Sequence, residues 1–209
     1  MTVDPTVQAT WDERYSERDQ MWSGNPNGAL VDEVGGLAPG TVLDVGCGEG
    51  ADSVWLARQG WQVTALEVSA VALDRARQHG AEAGVSVEWV HLGVEQLGDR
   101  TFDLVSAMYP ALLRSPDQQG ERALLGAVRP GGLLLLVHHA GMEEHHEHDG
   151  HDGRPDPKDY VWPWMVAELL GDGWEVEVDE QRPRQVPDGG AGAHHVDDIV
   201  LRARRLSAP

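Results

Sequence analysis

Apolar residues along this 209-residue chain fall into short compact runs separated by stretches with helical spacing. Thr41 to Val45, Trp61 to Leu66, Val85 to Leu92, Phe102 to Ala107 and Leu133 to His138 are rich in β-branched and aliphatic residues, the pattern of buried strands. Between them, 51–59, a segment from Ser69 to about Ala83, and 117–128 space their apolar residues as helices, with Ser69 as an N-cap. Two further helices are predicted near 6–20 and 29–37, around a loop of Gly, Asn and Pro at 21–28. Strands alternating with helices of this length make βαβ units and a mostly parallel sheet. A short helix begins near Trp162-Pro163. Trp174 to Val178 and Val196 to Ala203 then follow with no helix between them, so they should pair as an antiparallel hairpin at the sheet edge. The expectation is an α/β fold: one doubly wound, mostly parallel seven-stranded sheet with an antiparallel C-terminal strand, over 1–209. Its parts are N-terminal helices to 38, a ligand-binding core over 39–139, a His- and acid-rich loop over 140–160, and a C-terminal helix and hairpin over 161–209.

Charge narrows the partners. Thirty-five Asp and Glu against 16 Lys and Arg give −19 with His neutral. Such a chain repels phosphate backbones and anionic lipid surfaces, so a small neutral or cationic molecule fits better than nucleic acid or membrane. The single cysteine, Cys47, excludes an intrachain disulfide and any site that needs two thiolates from the chain. The N-terminus lacks the apolar core of a signal peptide, and the apolar run Leu133 to Val137 is far too short for a bilayer, so a cytoplasmic protein is expected.

The first strand ends in Val42-Leu-Asp-Val-Gly-Cys-Gly-Glu-Gly50, and a helix follows at once. In open α/β sheets ligands bind beyond the carboxyl ends of the strands, where the topology switches direction. Gly46, Gly48 and Gly50 let the backbone approach a ligand closely and adopt dihedrals that a Cβ blocks. Their G-x-G-x-G spacing differs from the G-x-G-x-x-G of dinucleotide sites, although Ala51 satisfies the looser form. Asp44 would face a pyrophosphate with like charge and suits an ammonium or hydroxyls instead. Glu67, seventeen residues after Gly50, closes the second strand, where a carboxylate accepts hydrogen bonds from a ribose diol. Both acids point to a nucleoside ligand without phosphates, with a nicotinamide-dependent oxidoreductase as the alternative.

On these motifs, together with Trp11-Asp-Glu-Arg-Tyr15, Trp22-Ser-Gly24 and Arg129-Pro-Gly-Gly132, the chain resembles the class I S-adenosylmethionine-dependent methyltransferases. Within that class it is similar to the small thiopurine and tellurite-resistance types. The resemblance implies a Rossmann-like methyltransferase fold, S-adenosyl-L-methionine as cofactor, and a small-molecule acceptor methylated at S, N, O or a chalcogen. It implies that Gly46, Cys47, Gly48 and Gly50 pass the methionine portion, that Glu67 holds the ribose and that Val68 packs on adenine. Trp22 and the end of the fourth strand, Ala107, Met108 and Tyr109, would border the cofactor and the transferred methyl. After the third strand the sequence departs from the family. Gly93 stands where an acid commonly meets the adenine amino group, leaving Glu95 from two residues on, or backbone groups around Gly93 and Val94, for that contact.

Methyl transfer from a sulfonium is an in-line displacement that, for a soft or already neutral nucleophile, rests on alignment and exclusion of water and needs little proton chemistry. Six of the ten histidines nevertheless lie between His138 and His151. His138 or His139, at the end of the fifth strand, is a candidate base or substrate contact. The run that follows reads in three ways: a lid, a native metal site of a non-enzymatic binding module, or a solvated loop. No spacing in it identifies metal ligands.

Overall fold

A computed structural model describes residues 3–141, 157–184 and 196–207. Residues 142–156 of the segment expected to act as a lid or metal site, with His145, His146, His148 and His151, lie outside the described residues, as do His194 and His195.

Seven strands form one sheet: β1 (Thr41–Val45), β2 (Gln62–Glu67), β3 (Val87–His91), β4 (Phe102–Met108), β5 (Val128–His139), β6 (Trp174–Pro183) and β7 (Asp197–Arg205). Their order is β3-β2-β1-β4-β5-β7-β6. The four pairings among β1 to β5 are parallel, and β7 runs antiparallel to both β5 and β6. The expected fold class and the edge hairpin are both borne out. Helices α1 (Pro5–Ser16) and α2 (Gly28–Val34) precede the sheet, while α3 (Ala51–Arg58), α4 (Ala70–Ala83), α5 (Gln119–Gly126) and α6 (Pro163–Ala167) lie between strands. Among the described residues, no helix is long and apolar enough to cross a membrane.

Strand alternation sorts the core into two layers. On β5, Leu133, Leu135 and Val137 pack with Leu56 and Leu73 from α3 and α4, whereas Leu134 and Leu136 pack with Leu124 and Val166 from α5 and α6. The same alternation separates Asp44 from its neighbours Leu43 and Val45. Several boundaries differ from the sequence reading. β5 starts at Val128, five residues early, because Gly131 takes φ +80° and Gly132 runs against the carbonyls of Phe102 and Asp103. A Cβ at Gly132 would lie 2.9 Å from both oxygens, so only glycine lets this stretch join the sheet. α1 stops at Ser16, and the charged residues after it form no further helical turn. β6 runs on to Pro183 through a register shift between Val176 and Val178. Glu177, at that shift, pairs with Arg202 and Arg204 of β7. Charge on the edge strand also disfavours pairing with another chain.

β1 is followed by β2 and β3 on one side and by β4 on the other, so the direction switches between β1 and β4. A crevice therefore opens at their carboxyl ends.

Candidate active site

The crevice holds a cavity of about 830 Å³. Trp22, Gly46, Cys47, Gly48, Gly50, Glu67, Val68, Gly93, Val94, Glu95, Met108 and His139 all border it. Its floor is the turn from β1 into α3. The amides of Gly46 and Cys47 both donate to the Leu66 carbonyl, 2.9 Å away, which fixes the loop to the end of β2. Gly46, Gly48 and Gly50 take φ +72°, +53° and +87°, all left-handed. At Gly50 a Cβ would lie 2.9 Å from both Ala76 and Trp89 side-chain carbons. Gly50→Ala therefore combines left-handed strain with overpacking, and a loss of about 2–4 kcal/mol in a denaturant titration is expected.

Three buried carboxylates surround this loop. Glu67 accepts from the amides of Gly48 (2.9 Å), Val68 (2.9 Å) and Ser69 (2.8 Å), so it organises the floor as well as facing the cavity. Burial raises its pKa against the opposing effect of those bonds. Asp52, in the first turn of α3, takes the Asn27 amide and side-chain nitrogen, each at 2.7 Å. Asp44 accepts from Ser53 Oγ at 2.5 Å. Burial, then the nearby Asp52, pushes its pKa up to about 7, with Ser53 opposing and Glu67 adding. Among the described residues, none of the three forms an ion pair with Arg or Lys.

Two expected contacts sit elsewhere. Asp44 and Ala107 are not among the residues that border the cavity, and strand alternation aims Asp44 at Ser53 on α3. His138 is a correction of a different kind: it faces the opposite side of the sheet from His139, with its ring centroid 4.1 Å from that of Trp162. Its Nδ1 accepts from the His139 amide at 3.0 Å. Only His139 of the pair borders the cavity. Glu95 curls back over Gly93, its Oε2 lying 2.7 Å from where a Gly93 Cβ would be.

Trp22 was expected at the cofactor, but the network that holds it was not. Glu49, 4% exposed, receives the amides of Met21 and Trp22 at 3.0–3.1 Å and pairs with Arg75 at 2.9 Å. Arg75 in turn donates to the carbonyls of Tyr15 and Arg18. Trp22 Nε1 donates to Tyr15 Oη at 3.1 Å beside Gly48. Asp12 accepts from Ser69 Oγ and the Val71 amide, which ties α1 to the start of α4. The sequence signal was the acidic residue inside the glycine loop, but its partners lie more than twenty residues away. At the other end of the cavity stand Tyr109, His139 and Arg184. Among the described residues, no group of three or more His, Cys, Asp or Glu side chains is arranged to hold a metal ion.

Residues 42–132 match the family described as a methyltransferase domain. A ubiquinone biosynthesis O-methyltransferase of Pseudomonas paraeruginosa is 37% identical over 131 residues, 60% of this chain and 56% of that protein. The chain thus aligns with about half the length of such curated relatives. A structure solved for the conversion of a disulfide bond into a thioacetal group during echinomycin biosynthesis superposes with TM-score 0.74 at 22% identity, covering 97% of this chain and 93% of that one. The 1,6-didemethyltoxoflavin N1-methyltransferase of Burkholderia thailandensis superposes with TM-score 0.65 at 20% identity, covering 97% and 88%. The segment that carries the glycine loop and strands β1 to β4 is thus similar to a methyltransferase domain, and the whole sheet shares the fold of these solved structures.

Proposed function

We propose that the chain binds S-adenosyl-L-methionine in this cavity and transfers its methyl group to the oxygen of a small-molecule acceptor. The observation that carries the reading is the left-handed glycine floor beside the buried carboxylates Asp44, Asp52 and Glu67, to which no Arg or Lys is paired among the described residues. Such a floor attracts a cationic ligand and repels a pyrophosphate, which favours a sulfonium nucleoside over a dinucleotide and opposes the oxidoreductase reading.

When bound, the cofactor supplies an electrophilic methyl on a sulfonium. The rest is positioning by the chain. Gly46, Cys47, Gly48 and Gly50 offer backbone to the methionine portion, and Trp22 covers it. Glu67 takes the ribose hydroxyls on lone pairs left over from its amide contacts, and Val68 packs on the adenine. The placement of Glu95 over Gly93 supports that carboxylate as the partner of the adenine amino group. Asp44 acts through space from behind the loop. Met108, with Ala107 behind it, closes the side where the methyl departs.

The curated O-methyltransferase relatives favour oxygen over sulfur or nitrogen, and a charge of −19 favours a small acceptor over nucleic acid. Isothermal calorimetry should give micromolar binding of S-adenosylmethionine and S-adenosylhomocysteine and none of NAD. Release of S-adenosylhomocysteine should then be fastest with hydroxylated aromatic acceptors in a panel that includes thiols and amines. Absence of cofactor binding would sink the reading.

A further inference from the structure

Three chain-distant segments converge at the acceptor end of the cavity. Asp198 lies directly opposite His139 in the antiparallel register of β5 and β7. Its buried carboxylate accepts from Tyr109 Oη at 2.9 Å and stands 3.5 Å from His139 Nδ1 and 3.9 Å from Arg184 Nε. The Tyr109 ring is stacked on His139 with centroids 4.1 Å apart, and the Arg184 guanidinium carbon lies 4.9 Å from its centroid. Tyr109 holds φ +52°, a left-handed backbone that a bulky side chain adopts only under constraint. That strained residue follows Met108, which borders the region assigned to the departing methyl. Imidazole and phenol thus border the cavity, with the buried carboxylate in contact with both.

We propose that His139 is the general base for a hydroxyl acceptor and that Asp198 and Tyr109 are its positioning residues. This rests on the methyltransferase reading above. The acceptor O–H proton passes to the His139 imidazole while an oxygen lone pair forms the new O–C bond. The methyl–sulfur bond breaks with its electrons going to sulfur, so S-adenosylhomocysteine leaves neutral at sulfur and the positive charge resides on imidazolium. Asp198, on the Nδ1 side of the ring, stabilises that charge, and solvent takes the proton after turnover. Such ring-to-carboxylate contacts are commonly long without substrate and tighten in the reacting complex.

The first test needs no acceptor. In the full chain, the His139 imidazole titration is followed by NMR and assigned by its loss in His139→Gln. Among the described residues, the groups beside it are Asp198 from β7, Arg184 from beyond β6 and Tyr109 from beyond β4, with the His138 ring on the other side of the sheet at 6.3 Å between centroids. Asp198→Asn should weaken proton binding at His139 about tenfold, moving the titration to lower pH. Tyr109→Phe, which leaves the carboxylate and removes its donor, should move it upward. A titration that stays in place in both variants overturns the proposal, and Tyr109→Phe decides it alone if Asp198→Asn does not fold.

The second test uses catechol as the hydroxyl probe and 4-nitrothiophenol, already a thiolate at neutral pH, as the control. His139→Gln should lower kcat on catechol at least about a hundredfold with KM and S-adenosylhomocysteine affinity little changed. It should also abolish the rise of rate through the imidazole titration, while thiolate turnover persists. Unchanged catechol turnover, or a parent enzyme that turns over only the thiolate, overturns the base. If the parent chain binds no S-adenosylhomocysteine, the functional reading fails separately, and the titration still decides whether the dyad exists.

Discussion

Glu67→Ala should melt well below the parent chain and should bind S-adenosylmethionine too weakly for calorimetry to detect. The carboxylate receives three backbone N–H groups, one from the glycine loop and two from the turn into α4. Alanine leaves those donors without their acceptor. At about 1 kcal/mol each, the lower end for an unsatisfied buried group, the loss is about 3 kcal/mol of folding free energy. Binding suffers twice, because the ribose partner goes and the loop it steadied is released. Glu67→Gln separates the two effects. Its carbonyl oxygen still accepts from Val68 and Ser69, but its amide nitrogen meets the Gly48 N–H as donor against donor. It should fold closer to the parent than Glu67→Ala yet still bind cofactor poorly. A Glu67→Ala chain with parental melting temperature and cofactor affinity would remove Glu67 from the site.

Asp44→Asn should have the opposite effect on stability. In the folded chain Asp44 keeps its proton to about pH 7, whereas its ordinary value is 3.8. Between these values the folded state binds more protons than the unfolded state, so this group's contribution to stability declines as pH rises from about 4 to about 7. Asparagine keeps the shape and a carbonyl for Ser53 Oγ but never ionises. At pH 8 the variant should therefore melt higher than the empty parent, and at pH 4 the difference should vanish. Cofactor binding runs the other way. A sulfonium favours ionised Asp44, so parental affinity for S-adenosylmethionine should rise about tenfold between pH 6 and 8. S-adenosylhomocysteine, neutral at sulfur, should respond less, and Asp44→Asn should flatten the profile. Parallel pH profiles for both ligands in parent and variant would contradict this assignment.

How far the sequence speaks depends on how local each feature is. The glycine loop, the strand before it and the acid ending β2 are readable because strand, turn and helix signals are short-range, and Glu67 indeed lies beside that loop. Sequence placed Asp44 in front of the loop; the pleat of β1 puts it behind, since adjacent strand residues face opposite sides. The same rule divides His138 from His139, and nothing in a His-His pair tells which one faces the crevice. The start of β5 was missed because a Pro-Gly-Gly stretch reads as a turn, although Gly132 in fact allows the backbone to run tight against β4. Asp198 drew no attention at all. It meets Tyr109 across 89 positions and His139 across a register that only the folded sheet defines.

Glu49 and Asp52 join the wall of the cavity to its floor. Both acids grip backbone amides of the segment 21–27, so the wall above the cofactor is a latch whose catch is built into the glycine loop beneath it. A ligand that settles against the loop settles against the catch. Loss of either carboxylate should therefore loosen wall and floor together, whereas Tyr109 and His139 border the cavity outside these bonds.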